Sequence, residues 1–401
     1  MTHIAFVHIE FPSGGGERIT MDIARYLMRT YPGSYRISIL TFSFREDLLP
    51  EEFKDSIRVH TVPDPGKDGQ VAFTEKAIGI VRAEKIDILV QVGQIYLSLK
   101  DISRTTGCRT VFANHGRPLW EADFSMWERQ QIAKRKLRRT ILWFGLRKWI
   151  YLISGKTYRK VLGTYRRNYE ESDAYVVLCG EYREKLVSAL GCDPGRNKIA
   201  VIENPEYKVD GISFDRENEI IFVGRLTRFD KRVERLLKAW KLAQERLGGW
   251  NLTVIGDGEE YGYLKAMSSR LGLKRISFEG YRNPAPYYSR ASISCLVSET
   301  EGWPLCLTEA QANGVIPVAL DCSGGVRQIL GPSGENGFLV RPGLFRERRF
   351  ADTLVRVAML PEAEKLRIRK NVIRKSAEYS IEIIGGKWKR LFDSLTEGDR
   401  F

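Results

Sequence analysis

Short apolar, β-branched runs alternate with helix-patterned stretches twice along this chain, and that double alternation restricts the fold more than any other feature. HIAFVHIE (3–10), RISILTF (36–42), IDILVQVG (86–93), RTVFANHG (109–116) and AYVVLCG (174–180) form the first series. EIIFVGR (219–225), WNLTVIGDG (250–258), RISFEGY (275–281), ISCLVSE (293–299) and VIPVALD (315–321) form the second. Continuous apolar runs of this length are what a parallel sheet covered on both faces requires. Between the first two runs, Ile19, Ile23 and Leu27 repeat at the spacing of one helical face. The segment 198–219 is polar and carries Pro205 and Gly211, so the linker is placed there. The expected fold class is α/β, with two doubly wound Rossmann-like domains facing across a cleft. A length of 401 residues agrees, being too long for one ordinary core.

Net charge is +14, and it is unevenly placed. From Gln130 to Tyr169 there are twelve Lys or Arg and no Asp or Glu. Trp143, Phe144, Trp149, Tyr151 and Tyr158 interleave with these cations. A stretch of this kind implies an acidic partner: an anionic membrane, a nucleic acid or a phosphorylated substrate. Aromatics beside cations suit a lipid headgroup layer, so a peripheral contact with the inner membrane leaflet is expected. The apolar patch ILWFGLRKWIYLI (141–153) is too short to span a bilayer. The six cysteines include no C-x-x-C pair and the histidines stand apart from them, which argues against a zinc site and suits a reducing cytoplasm. The N-terminal MTHIAFVHIEF reads as a strand, not a signal peptide.

Four stretches carry candidate chemistry. In ETEGWPLCLTEAQANG (299–314), a strand end is followed by Pro304, a helix and an Asn313-Gly314 stop. The free N–H groups near Leu305 and Cys306 would form an anion site suited to a diphosphate. Glu301 lies before that helix and Glu309 inside it, so they would reach different parts of one extended ligand; bidentate carboxylates match vicinal sugar hydroxyls. Taken alone, two acids at this spacing are ordinary surface residues. In FVGRLTRFDK (222–231), Gly224 permits a close turn, and Arg225 and Lys231 would neutralise a diphosphate leaving group. Arg228 and Arg232 are the expected bystanders. The turn IEFPSGGGER (9–18) lacks the G-x-G-x-x-G spacing of a nicotinamide site; its Gly15-Gly16 backbone is expected to approach a sugar phosphate. His115, in FANHGRP, follows a strand end where α/β ligands bind.

Together these pieces resemble the retaining glycosyltransferases of family 4, which have the GT-B architecture. The resemblance is carried by Gly15-Gly16-Glu17-Arg18, Gly224-Arg225 with Lys231, Gly256-Asp257-Gly258, Gly280, Glu301-Gly302-Trp303-Pro304-Leu305 through Glu309-Ala310, and Gly337-Phe338-Leu339-Val340. It implies that Arg225 and Lys231 bind the donor diphosphate, Glu301 holds donor-sugar hydroxyls and Glu309 the nucleotide ribose. Backbone around Gly302, Trp303, Leu305 and Cys306 would bind sugar and phosphate, and that around Tyr281 and Arg282 the base. His115 would lie near the reacting sugar, and the Gly15-Gly16 loop would touch phosphate or acceptor. The implied domains are 1–205 for the acceptor, 206–378 for the nucleotide sugar, and 379–401 as a helix crossing back to the first. Two departures stand out: IENPEY in place of an asparagine-glycine turn, and Gln311 in place of a methionine, both expected to shift donor preference.

The implied reaction moves a sugar from a nucleotide-diphosphate donor to a lipid-linked or cell-envelope glycan acceptor, with retention. No D-x-D triplet occurs, so neither a metal nor another cofactor is expected. Two rivals remain: a GT-B epimerase, and a nucleic-acid-binding protein acting through the basic stretch. Against the latter, no nucleic-acid module is recognisable. The expected location is the cytoplasm, at the inner face of the membrane.

Overall fold

A computed structural model describes residues 1–94 and 97–397, so the last four positions of the 379–401 segment lie outside the described residues. The chain divides into two compact units, Met1–Pro205 with Ile381–Phe401, and Glu206–Ser380.

The first unit is built on β1 (Thr2–Phe11), β2 (Tyr35–Phe44), β3 (Ile57–Thr61), β4 (Ile88–Val92), β5 (Arg109–Ala113), β6 (Ala174–Val177) and β7 (Ile199–Val201). They pair in the order β3-β2-β1-β4-β5-β6-β7, every pair parallel. Ile4, Phe6, Ile88, Val90, Val111 and Tyr175 are fully buried along it, as both-face coverage demands. The helix Gly15–Thr30 buries Ile19, Ile23 and Leu27 against this sheet. The last helix, Ile381–Thr396, belongs to the same unit. Gly385 lies so close to Tyr26 that an added Cβ would fall 2.3 Å from the ring. Tyr35 Oη donates to Asp393 at 2.8 Å, and Lys387 pairs with Glu203 at 2.5 Å.

One boundary needs correction. The stretch 198–219 was expected to be linker throughout, yet Ile199–Val201 forms the edge strand β7 on β6. Pro205 breaks the chain only after that strand has paired.

The second unit holds β8 (Glu219–Val223), β9 (Asn251–Ile255), β10 (Ile276–Gly280), β11 (Ile293–Leu296), β12 (Ile316–Leu320) and β13 (Phe338–Val340). Their order is β10-β9-β8-β11-β12-β13, again all parallel. Its core joins Ile220, Phe222, Trp240, Val254, Cys295 and Val318. Gly256 (φ 142°) has a strict steric role: a Cβ there would stand 1.9 Å from the carbonyl oxygen of Gly224. The loops leaving β8 and β9 touch at that point.

Strand order reverses between β1 and β4 in one sheet and between β8 and β11 in the other. Loops leaving the carboxyl ends there diverge to opposite faces and open a crevice, which is where open α/β sheets bind ligands.

Candidate functional site

At the reversal point of the second sheet, the loop after β8 carries Arg225 and Lys231, and the loop after β11 carries Ser298 and Glu301. The amide of Glu299 donates to the Asp230 carbonyl at 2.7 Å, joining the two loops. Lys231 Nζ meets Glu301 Oε1 at 2.7 Å, with side chains only 16% and 9% exposed. Ser298 Oγ donates to the same oxygen, also at 2.7 Å. Burial works against the Lys231 ammonium, but Glu301, together with Cys306 and Asp230, outweighs it and holds the Lys231 pKa above its ordinary value. The ammonium is therefore a fixed positive charge in a place where water screens it poorly.

Arg225 behaves differently. It is 77% exposed, and its guanidinium lies 3.6 Å from Asp230. Asp230 also accepts from Thr227 Oγ1 within the same loop. Of the expected bystanders, Arg232 pairs with Glu234 at 2.6 Å and Arg228 lies over the Tyr263 ring.

The helix Leu305–Ala312 follows directly, with Pro304 in the extended conformation as its N-cap. Proline thus stands one position before the helix, not in its first turn. Gly314 closes the far end at φ 70°. Glu309 Oε2 accepts from Tyr288 Oη at 3.0 Å. Burial, then Glu309, raise the Tyr288 pKa well above its usual range, so the phenol stays a donor. Burial pushes the Cys306 thiol up to about 12, too high for a nucleophile at neutral pH. The Trp303 side chain packs edge-on against Tyr379, with ring centroids 4.9 Å apart, leaving backbone as the part of that residue free for a ligand. Tyr281 and Arg282 leave β10 on an exposed turn, Tyr281 being 87% exposed.

Gln311 is a structural brace. Fully buried, it donates to the carbonyls of Ile329 and Asn336 at 3.1 and 3.0 Å, away from the open edge of the sheet. Glu206, from the unusual IENPEY stretch, accepts from Thr308 Oγ1 at 2.8 Å. Ser298, Tyr288 and Glu206 were not identified from sequence. Their residue types carry no motif, and each reaches its partner only through folding.

In the first unit, the glycine turn resolves more finely than expected. The turn residue is Gly14 (φ 123°), and Gly15 and Gly16 are the first residues of the following helix. Their N–H groups therefore open a helix N-terminus at the reversal point between β1 and β4. His8, buried near the end of β1, meets Glu17 at 3.2 Å and Thr20 at 2.9 Å. His115 follows β5. Burial, then repulsion from His8, lower its pKa to about 4, against smaller upward pulls from Glu17 and Asn204. Its imidazole is neutral at physiological pH.

The candidate residues thus divide between the two units: Gly224, Arg225, Lys231, Tyr281, Arg282, Glu301, Gly302, Trp303, Leu305, Cys306 and Glu309 lie in the second, and Gly15, Gly16 and His115 in the first.

Residues 203–375 match the protein-family model described as Glycosyl transferases group 1, and residues 13–205 that described as Glycosyltransferase Family 4. An uncharacterized glycosyltransferase of Haemophilus influenzae is 34% identical over 199 residues, 48% of this chain and 50% of that protein. The lipopolysaccharide 1,6-galactosyltransferase of Salmonella typhimurium is 31% identical over 212 residues, 51% of each chain. The chain thus spans about half the length of the curated relatives it matches. Among solved structures, Anabaena HepE in complex with UDP-glucose superposes with a TM-score of 0.72 at 18% identity, covering 98% of this chain and 100% of that one. Sucrose-phosphate synthase of Thermosynechococcus elongatus superposes at 0.75 with 16% identity, over 100% of both chains.

Proposed function

Because the chain belongs to the GT-B glycosyltransferases of family 4, we propose that it moves a sugar from a nucleotide diphosphate to an acceptor hydroxyl, with retention at the anomeric carbon. The observation that carries this reading is the buried Lys231–Glu301 pair at the reversal point of the second sheet, beside a helix N-terminus.

As the bond from the anomeric carbon to the diphosphate oxygen breaks, the electron pair stays with the diphosphate. Lys231 and the amides of Leu305 and Cys306 are positioned to take up that charge, and being fixed they need little reorganisation. Arg225, exposed and loosely held, closes on the phosphates when donor binds. Glu301 accepts from sugar hydroxyls while Lys231 and Ser298 hold its carboxylate in place. Glu309 accepts from the ribose, and Tyr288 fixes its rotamer. The backbone of Tyr281 and Arg282 meets the base. The acceptor oxygen attacks from the leaving-group face and its proton passes to the departing diphosphate oxygen, so no enzymic nucleophile is used. In the first unit, neutral His115 hydrogen-bonds a substrate hydroxyl without adding charge. Neither a divalent cation nor another cofactor enters this scheme.

For the acceptor, relatives named for lipopolysaccharide and amylovoran synthesis support an envelope glycan, carried on a lipid or growing on one. The acid-free segment supports a peripheral contact with anionic membrane. It runs from the end of the helix Trp120–Lys134 through Leu137–Leu142, a π-helical turn at Trp143–Arg147 and Lys148–Ser154 into the helix Lys156–Glu171. Ile141, Leu146, Trp149, Ile150 and Ile153 are exposed, Ile153 to 84%. A folded surface rarely displays so many large apolar side chains together without a partner. Among the described residues no helix is long and apolar enough to cross a membrane.

The test is release of free nucleotide from a panel of nucleotide sugars, with the anomer of the product assigned by NMR. Release of a retained glycoside supports the reading. An inverted product rejects retention, a free epimerised sugar nucleotide points to the epimerase, and turnover of no donor rejects the transferase.

A further inference from the structure

The helical segment of the first unit does more than expose apolar side chains: it encloses a groove of about 760 Å³. Arg129, Arg139, Arg147, Lys156 and Lys160 line it, and no acid does. Among the described residues none of the five is ion-paired.

Two further observations point to a ligand. Trp143 and Tyr151 line the same groove, with ring centroids 6.1 Å apart. The indole Nε1 of Trp143 and the hydroxyl of Tyr151 are buried and have no hydrogen-bond partner among the described residues. Leaving a buried donor without an acceptor is costly, so such groups almost always have a partner from the protein, from water or from a bound ligand. Trp143 also opens the π-helical turn, a local distortion that is frequent at functional sites. Guanidinium, ammonium, indole N–H and phenol O–H are all donors. The complementary ligand is a compact anion with several acceptor oxygens. Ile132 and Ile150 lie in the same lining and are exposed. An anion bound here therefore has apolar surface beside it.

We propose that this groove binds the phosphate ester headgroup of a membrane lipid, the apolar rim taking the first part of its chain. The inference rests on the peripheral membrane contact argued above, and adds to it a discrete headgroup site. Charge complementarity selects an anionic lipid, and the unpartnered donors distinguish a site from a diffusely basic surface.

The experiment compares two charge-matched variants of the full chain. R139A/K156A/K160A removes three exposed cations of the groove, and K134A/R135A/R138A removes three exposed cations of the same segment outside it. Binding is measured to short-chain phosphatidic acid as a monomer, and by flotation with phosphatidylcholine vesicles with and without phosphatidylglycerol. The wild type should bind the monomer saturably and float only with the anionic vesicles. The groove variant should lose about tenfold or more in monomer affinity, the control variant less than about threefold, as expected for loss of charge-assisted hydrogen bonds. W143F, which keeps an aromatic ring and removes the donor, should weaken monomer binding several-fold with circular dichroism unchanged.

Equal losses in the two triple variants would overturn the groove while leaving membrane contact intact. A wild type that floats with neither vesicle would overturn the membrane contact and the groove together. Displacement by inorganic phosphate at the same concentration as by lipid would overturn the lipid assignment. Each outcome is independent of sugar transfer.

Discussion

The carboxyl edges of the two sheets share a topology and differ in chemistry. Both lie where strand order reverses, and both place a helix N-terminus beside the opening. The second unit arms its edge with charge: Lys231 against Glu301, and Arg225 at the margin. The first arms its edge with two histidines, one of them held neutral, and a threonine hydroxyl, with Glu17 turned onto His8. The same scaffold is thus tuned by the side chains on two loops. A charged, preorganised edge suits a leaving group that gains negative charge, and a largely neutral edge suits hydroxyls that must be positioned but not ionised.

Breaking the charged edge should have the largest effect. Lys231→Ala is expected to lower kcat by about 100-fold or more, the usual cost of losing a preorganised oxyanion stabiliser. It also leaves Glu301 buried without its cation, which costs about 3–5 kcal/mol in stability. The K231A/E301Q double variant should regain thermal stability without regaining turnover. Recovery of kcat in the double variant would mean that the pair serves the fold alone.

Arg225 gives a sharper version. Arg225→Ala should lower kcat/KM about tenfold while leaving Tm nearly unchanged, because an exposed side chain 3.6 Å from one carboxylate holds little of the fold together. Unchanged kinetics would confine the charged edge to Lys231. Glu309→Ala is a binding change and should raise KM severalfold with a smaller effect on kcat. Addition of EDTA should leave turnover as it was; abolition would bring a divalent cation into the scheme.

The neutral edge is tested by pH. Unfolded, His115 titrates near 6.5, and folded near 4. Between those values the unfolded chain binds more protons, so stability rises with pH there, and is lost as pH falls from 6.5 towards 4. His115→Asn should flatten that slope in urea midpoints taken above and within the window. An unaltered slope would show that His115 is not held neutral.

Legibility in the sequence varied with burial. Every central strand was readable, because burial on both faces imposes a continuous apolar run. The missed strands, IRVHT of β3, IAV of β7 and FLV of β13, are short edge strands with weaker patterns. Lys231 and Glu301 could be picked out because each follows a strand end in a recognisable run. Their contact could not, since it joins positions seventy residues apart in the chain. Gln311 could be noted only as a departure from the family pattern; that its side chain braces two carbonyls emerged from packing. Apolar residues 141–153 read as a patch, but the orphaned indole and phenol beneath them emerged only from packing.

The order of apolar runs, the punctuating glycines and the charge imbalance are local properties, and they suffice to specify two parallel α/β units and the residue types at their edges. Which of those residues meet is a different matter. Hydrogen bonds and ion pairs act over a few ångströms, so Lys231 met Glu301 only when strand order brought their loops together, Tyr288 met Glu309 only when their helices packed, and His8 met Glu17 only when the glycine turn folded the helix back on β1.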